Sequence, residues 1–310
     1  MEIKEQEYIL SIARHENLKD AAAELNITQP GLSIFLSTLE KKTGIRLFHR
    51  VGKRFVPTDA GNLYLFYAKQ MSSFKHEYNA KISDLRNEVS GKMNIGLQVI
   101  RSSYALVSTL SAFDKRYPHV DVGILESDNE ELLDKLLSGE LDLIVVNRVV
   151  PSSALNYRQI YQDRLVCLLP PEAAESQLGS SIAGETLKYL DLKVLSGKRF
   201  ILPHPELATR IYADKAIAYS HARPGKTITI KNLDMIALMA AEGLGVGFSL
   251  YSIFRHFSYP KPLCAFMVGD PGVFPSYYIV SRKDRYMPRF TTFFMDVLEN
   301  AYQFQHSNAT

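Results

Sequence analysis

Apolar positions in the first ninety residues recur at helical spacing and are interrupted by turn residues. Between Lys4 and Arg14, the side chains Tyr8, Ile9, Ile12 and Ala13 fall on one side of a short helix. A second helix is predicted over Asp20–Leu25, where Ala21, Ala22 and Ala23 let another helix cross at close range, as a helix-turn-helix requires. Asn26 suits a left-handed helix end and Thr28 an N-cap. Pro30 falls in the first turn of a third helix, where its missing N–H is harmless. That helix runs to about Lys42 with Leu32, Leu36 and Leu39 inward, and Gly44 ends it. Leu47–Arg50 and Gly52–Val56 read as a two-stranded wing with a basic tip. Thr58 then caps a long helix from Ala60 to about Glu88. Its stripe of Tyr67, Met71, Phe74, Tyr78, Ile82, Leu85 and Val89 suits a partner helix, the alternative being packing on the chain's own globular part. Ser90-Gly91-Lys92 reads as a hinge.

From Lys92 onward strands and helices alternate. Met93, Ile95, Leu97 and Val99 alternate as a strand, followed by a helix over Tyr104–Tyr117. Val120–Leu125 is a strand, Glu130–Leu137 a helix, and Leu141–Val146 a buried strand. A second series covers Leu165–Leu169, Phe200–Leu202, a helix near Arg210–Ser220, Thr227–Ile230 and a helix from Leu233. Tyr277–Val280 and the helix Pro288–Tyr302 return to the first series. Such βα units predict parallel sheets with helices on their faces. Ligands gather at the carboxyl ends of strands in such sheets. The corners there are Arg101-Ser102-Ser103, Ser127-Asp128-Asn129, Asn147-Arg148 and Pro203-His204.

Charge changes the picture once it is divided. Residues 1–92 carry 14 Lys and Arg against 11 Asp and Glu, and the remainder balances at 22 against 22. Within Gln29–Val56, the basic residues Lys41, Lys42, Arg46, Arg50, Lys53 and Arg54 face Glu40 alone. Such a local excess suits a polyanion, because each neutralised phosphate releases counterions. A solvated basic face is the plainer reading. With 310 residues, several domains are expected. No apolar run approaches the roughly 18 residues of a membrane span, and no secretory signal opens the chain, so a cytoplasmic protein is expected.

Asp20-Ala21-Ala22, Leu25, Thr28-Gln29-Pro30, Ser33, Leu39-Glu40, Gly44, Leu47-Phe48-x-Arg50 and Thr58-x-x-Gly61 together resemble the winged helix-turn-helix of LysR-type transcriptional regulators. Leu136-x-x-Gly139-x-Leu141-Asp142-Leu143 resembles the first lobe of that family's effector domain. The resemblance implies an α/β chain with an N-terminal all-α winged helix-turn-helix over 1–58, and a long linker and dimerisation helix over 59–90. A two-lobed periplasmic-binding-protein-like effector domain would follow over 91–310, with lobe I about 91–163 and 264–310 and lobe II about 164–263. It implies a homodimer or homotetramer through the Tyr67–Val89 stripe, binding double-stranded promoter DNA and answering a small-molecule effector. Base reading would fall to Gln29, Ser33, Ser37 and Thr38, beside Pro30 and Ile34, and phosphate contacts to Thr28, Arg50, Lys53 and Arg54. Ile34 and Phe35 replace residues that are usually polar or basic in the family. Either they enlarge the core, or they face the groove, where an apolar side chain meets a thymine methyl. The effector corners would be Arg101, Ser102, Ser103, Ser127, Asn129, Asn147, Arg148, Pro203 and His204. Ser102 and Asn129 could instead merely cap helices, and Arg101 and Arg148 could pair with a carboxylate effector or sit at the surface.

Catalytic signals are missing. The eight histidines form no ligand pair at metal spacing, no Cys-x-x-Cys or Gly-x-Ser-x-Gly occurs, and no cofactor is implied. Glu242-Gly243-Leu244-Gly245-Val246-Gly247 lacks the Lys-Ser/Thr of a phosphate loop and reads as a helix-to-strand turn. Cys167 is expected to be buried and inert, and Cys264 to begin a strand. A regulator, not an enzyme, is the reading; a two-lobed α/β enzyme with an accessory DNA-binding domain and a ligand-independent architectural DNA binder are its rivals.

Overall fold

The computed structural model describes residues 3–86, 90–98, 103–147, 149–255, 258–270 and 274–307. The chain opens with α1 (Ile3–His15), α2 (Leu18–Glu24) and α3 (Gln29–Thr43). Helix α2 begins two residues earlier than its apolar pattern indicates, because Asn17 accepts the Asp20 N–H at 2.8 Å and caps it. Asn26 takes φ 53°, Thr28 caps α3 by accepting the Gly31 N–H at 3.2 Å, and Gly44 closes α3 with φ 72°. Strands β1 (Phe48–Val51) and β2 (Arg54–Pro57) pair antiparallel as the wing. Helix α4 (Asp59–Arg86) follows, with the Thr58 hydroxyl oxygen accepting the Gly61 N–H at 3.0 Å. The first core gathers Ile9, Ile12, Leu18, Ala21, Ala22, Leu32, Leu36, Leu39, Leu47, Phe48 and Leu65.

Next come β3 (Gly91–Gln98), α5 (Ser103–Arg116), β4 (Val120–Ser127), α6 (Asn129–Ser138), β5 (Leu143–Val146) and β6 (Leu155–Gln162). The expected hinge is shorter than read: Gly91 and Lys92 already belong to β3, and only Ser90 lies outside it. The chain continues through β7 (Leu165–Leu169), β8 (Arg199–Pro203), α7 (Ala208–Tyr219), β9 (Lys226–Ile230), α8 (Leu233–Ala241) and β10 (Val246–Leu250). It closes with α9 (Tyr251–Phe254), β11 (Cys264–Met267), β12 (Ser276–Arg282) and α10 (Arg289–Ser307). One five-stranded sheet runs β4-β3-β5-β12-β6 and the other β11-β7-β10-β8-β9.

The expectation of purely parallel sheets is corrected. In the second sheet β8 pairs parallel with β9 and β10, whereas β7 pairs antiparallel with both β10 and β11. The reason lies in the connections: helices α7 and α8 carry the crossovers from β8 to β9 and from β9 to β10, and a parallel pair needs such a crossover. No helix leads into β7, which enters directly after β6. Strand β6 escaped the sequence pattern because it is an edge strand with the polar run Asn156-Tyr157-Arg158-Gln159.

The chain divides into two compact units: Met1–Leu97, Tyr117–Ile144 and Ser281–Thr292 form one, and Gln98–Arg116, Val145–Val280 and Phe293–Thr310 the other. In the first, α4 lies against residues of the strand-rich part through its polar side. Gln70 Nε2 donates to the Leu137 carbonyl at 2.7 Å, Lys69 meets Glu140 at 2.8 Å, and the Tyr286 hydroxyl donates to Asp84 at 2.6 Å. Tyr67, Phe74, Tyr78 and Leu85 stay exposed, although the Arg285 guanidinium lies 3.7 Å over the Phe74 ring; Val89 lies outside the described residues. No helix among the described residues is long and apolar enough to cross a membrane.

Gly61 is where α4 meets the wing. A Cβ there would lie 2.0 Å from the Leu47 carbonyl oxygen, a backbone atom that cannot step aside. Gly61→Ala is therefore expected to cost about 1–3 kcal/mol through overpacking. A lowered thermal midpoint of the full chain checks it; an unchanged midpoint would show that the wing moves freely.

Candidate nucleic-acid interface and effector pocket

Helix α3 turns Leu32, Leu36 and Leu39 into the core, which leaves Gln29, Pro30, Ser33, Ile34, Ser37 and Thr38 exposed on its other side. Thr28, also exposed, sits at the N-terminal end of that face. Ile34 is 67% exposed. Phe35 is not on this face: it is half-buried, packs on the core and meets the Tyr8 ring edge-on at 5.0 Å. The pair thus separates, Phe35 enlarging the core and Ile34 facing outward.

The wing presents Arg50, Lys53 and Arg54, all exposed. Arg50 Nε donates to the Gly52 carbonyl at 3.0 Å, which folds its stem over the turn. Arg54 already has a partner, Glu16, at 3.3 Å, so any phosphate contact by Arg54 competes with that exposed pair.

Two carboxylates that the sequence did not single out as functional hold this face in place. Glu40 Oε1 accepts the Leu47 N–H at 2.7 Å and the Phe48 N–H at 3.1 Å, which ties the end of α3 to the start of the wing. Glu24 accepts the Ser11 hydroxyl at 2.5 Å, pairs with Arg14 and lies 3.0 Å from His15. The Ser11 hydrogen bond, aided by Arg14, holds its carboxyl below the usual range. Glu24 therefore ties α2 to α1, and Glu40 ties α3 to the wing. A lone acid inside the basic stretch was the visible signal for Glu40.

In the second unit a cavity of about 260 Å³ opens at the carboxyl end of β3 and the N-terminal ends of α7 and α8. Gln98, Asn147, Thr209, Lys231, Asn232 and Tyr277 supply its polar lining, Lys231 being paired with Glu206 at 2.6 Å, with Leu233, Leu250 and Ile253 among the apolar residues. Gln98 Oε1 accepts the Asn147 N–H at 3.1 Å. Asn147 Oδ1 and the Tyr277 hydroxyl, on side chains 9% and 0% exposed, have no hydrogen-bond partner among the described residues. The N-cap position of α7, Leu207, offers no side-chain cap to the Ala208 and Thr209 N–H groups, while the Arg210 N–H donates to the Leu207 carbonyl at 3.0 Å. Asn232 caps α8 through the Asp234 and Met235 N–H groups.

The sequence-derived corners meet this cavity in part. Asn147 lines it. Pro203 and His204 do not: the segment after β8 reaches it through Leu207, Ala208 and Thr209, while the Pro203 carbonyl accepts from Arg210 at 3.2 Å and His204 Nδ1 lies 3.6 Å from Glu206. Ser127 and Asn129 are not among its lining residues; the Ser127 hydroxyl donates to Glu131, and the cap of α6 is Asp128. Arg101, Ser102 and Arg148 lie outside the described residues, and Ser103 is the first residue of α5. Gln98, Thr209, Asn232 and Tyr277 were missed. Only Asn232, before an apolar helical run, carried a cap signal.

Comparison with known proteins gives the family and the fold. Residues 3–62 match the family described as bacterial regulatory helix-turn-helix protein, lysR family, and residues 86–303 match the LysR substrate binding domain. A probable RuBisCO transcriptional regulator of Cyanophora paradoxa is 29% identical over 77% of this chain and 72% of its own length. The regulator CbbR of Rhodospirillum rubrum is 24% identical over 79% of this chain and 78% of its own. Among solved structures, a full-length OxyR variant from Pseudomonas aeruginosa superposes with TM-score 0.73 at 20% identity, covering 98% of this chain and 95% of that one. Full-length CbnR complexed with its target DNA gives TM-score 0.62 at 17% identity, over 97% and 100%. Both share the fold.

The division of labour between neighbours on α3 is open to measurement. Phe35→Ala should destabilise the N-terminal domain by about 1–3 kcal/mol, as loss of a partly buried aromatic does. Ile34→Ala should leave the thermal midpoint unchanged, being exposed. Equal midpoints for the two variants would remove Phe35 from the core.

Proposed function

The chain belongs to the LysR family of bacterial transcriptional regulators, and from that premise we propose which of its surfaces do the work. It is a sequence-specific DNA-binding regulator whose promoter binding a small-molecule effector modulates. The observation that carries the residue assignment is the exposed polar side of α3, with Gln29, Ser33, Ser37 and Thr38 in a row beside a basic wing. In this reading α3 enters the major groove, where Gln29 makes the base contact its amide geometry allows and Ile34 rests on a thymine methyl. Thr28, Arg50 and Lys53 take phosphates, and Arg54 does so on leaving Glu16.

The organisation that goes with it is a DNA-binding part over 1–58, a linker helix over 59–90 and a sensor over 91–310, its second lobe about 164–263. The effector occupies the cavity beside Asn147 and Tyr277. Their unpartnered polar atoms favour a ligand that offers hydrogen-bonding groups to the Asn147 amide and the Tyr277 hydroxyl and an acceptor to the first turn of α7. Arg101 and Arg148 remain candidates for a carboxylate on that ligand. Two chains join through the exposed Tyr67, Phe74, Tyr78 and Leu85, because α4 spends its polar side on its own chain. The chain acts as a regulator and not a catalyst, in the cytoplasm where promoter DNA lies.

Three measurements test this. On cognate DNA, Gln29→Ala should cost about 1–3 kcal/mol and little on random DNA, whereas Lys53→Ala should weaken both and flatten the salt dependence by about one unit of slope. Equal losses on both DNAs for Gln29→Ala would take it out of base reading. Tyr78→Glu with Leu85→Glu should yield monomers in sedimentation, since charge enters an apolar seam; an intact oligomer places the seam elsewhere. In a thermal-shift screen of small metabolites, Asn147→Leu should lose the stabilisation that the effector gives the unaltered chain, while still binding operator DNA. A full shift in that variant would move the effector out of this cavity.

A further inference from the structure

Arg282, the last residue of β12, is buried at 8% exposure, an unusual place for a guanidinium. It reaches this depth because Gly139 has no side chain: a Cβ there would stand 2.7 Å from both Arg282 Nη1 and Ser73 Oγ. Arg282 Nη2 donates to the Ser73 hydroxyl oxygen at 3.2 Å. Its Nε and Nη1 have no acceptor among the described residues, and neither does Nε of nearby Arg285. The rest of Arg285 is engaged: it donates to Gln70 at 2.7 Å and to Glu77 at 3.3 Å, and its guanidinium lies 3.7 Å over the Phe74 ring. Burial, then repulsion by Arg285, lowers the Arg282 pKa. A buried charge with open donors is costly until an anion meets it.

The space beside Arg282 is ready for one. A cavity of about 310 Å³ between α4 and the strand-rich part of the first unit is lined by Arg282, Arg285, Ser73, His76 and Lys92. It adjoins a wider one of about 580 Å³, which shares His76 and Lys92 and adds Arg14, Lys69 and Lys135. The acids nearby are largely committed. Glu77 is held by Lys81 at 2.7 Å and by Arg285; Glu140 is held by Lys69 at 2.8 Å and lies 3.5 Å from Lys135. Asp142 accepts the Asn94 N–H at 2.8 Å, and burial pushes its pKa up, toward the neutral form. Asp121 is exposed at the rim.

We propose that this cavity is a second ligand site, distinct from the effector cavity, that takes a phosphate group, either the free ion or the ester of a small metabolite. Several oxygens on one centre match what the site offers: two open N–H nitrogens of Arg282, with Lys92 and His76 also on the lining. A carboxylate would satisfy the guanidinium and leave Lys92 and His76 unmet. Occupancy would bridge α4, through Ser73 and His76, to Arg282 and Lys92. A ligand that binds only this arrangement stabilises it by mass action, and α4 carries the DNA-binding part.

The test uses the full chain, calorimetric titration and thermal shift, with sodium phosphate against sodium chloride at equal ionic strength. Phosphate should bind saturably and raise the midpoint beyond the chloride control; identical curves overturn the proposal. Arg282→Met should weaken phosphate binding roughly tenfold or more, and Arg282→Lys should lose less. If Arg282→Met does not fold, Lys92→Met on the rim takes its place and should weaken binding severalfold. Unchanged binding in every folded variant overturns the site. Hydrogen exchange on phosphate addition should slow in residues 70–84 and 282–291; slowing confined to the wing at 48–57 would mean that the ion sits on the DNA face, and also overturns it. Glycerol 3-phosphate separates the two sources: binding of both ligands assigns a phosphate ester site, and binding of inorganic phosphate alone assigns the free ion.

Discussion

One helix of 28 residues, α4, has to satisfy three surroundings at once, and the first unit is arranged around that constraint. At about 1.5 Å per residue it spans roughly 42 Å, far longer than the winged domain needs. Its first turns close that domain, with Gly61 against Leu47 and Leu65 and Ala68 buried. Further along, Gln70, Ser73, Glu77 and Asp84 face the strand-rich part through hydrogen bonds. Tyr67, Phe74, Tyr78 and Leu85 remain outside. The rod is therefore divided by angle, and polarity decides which sector goes where. Hydrogen bonds dock the helix on its own chain, and the apolar sector is kept for another surface.

That division explains what could be read from the sequence. The apolar stripe of α4 is visible because apolar residues at steps of three and four have one physical cause. The polar docking side was illegible, because Gln, Ser, Glu and Asp on a helix look the same in water as against another segment. The caps around α3 were legible for the opposite reason: Thr28, Pro30 and Gly44 act on backbone groups within a few residues of themselves. Phe35 and Ile34 show where phase arithmetic carries further than residue type. Position 35 lies three after Leu32 and four before Leu39, on the flank of the buried stripe, while position 34 lies between Leu32 and Leu36 on the far side. Resemblance to a family marked both as departures; helix geometry alone separates them.

The strand-rich parts divide in the same way. Elements with a helix between consecutive strands were recovered, along with their parallel pairing, because the crossover itself enforces it. Strand β6 was harder, and the two residues between it and β7 do not show that β7, read correctly into the second series, pairs antiparallel there. The cavity of the second unit gathers Gln98, Asn147, Thr209 and Tyr277 from four separate segments, and only the finished topology brings them together. Buried Arg282 is the extreme case. In the sequence it is one Arg beside Lys283, and its burial depends on a glycine 143 positions earlier that has no Cβ.

In the second unit a single carboxylate plays the part that α4 plays in the first. Asp163, fully buried, stands where the chain leaves β6 for β7. Its Oδ1 accepts the Arg164 N–H at 2.8 Å and the Ser252 N–H at 3.1 Å, and its Oδ2 accepts the Ser252 hydroxyl at 2.5 Å. Its own N–H donates to the Pro275 carbonyl at 2.7 Å, so one residue joins the segment between β6 and β7 to the one that leads into β12. Those are chain crossings between the two sheets, and both are tied at the same point. Tyr277, two residues past Pro275, forms a cluster of three rings with Tyr161 and Tyr302, their centroids 5.9, 5.8 and 5.8 Å apart, and also lines the cavity of the second unit. Tyr161, one of its ring neighbours, donates its hydroxyl to Asp163 Oδ1 at 3.3 Å. Tyr277 thus belongs both to the cavity lining and to the ring cluster beside the two crossings.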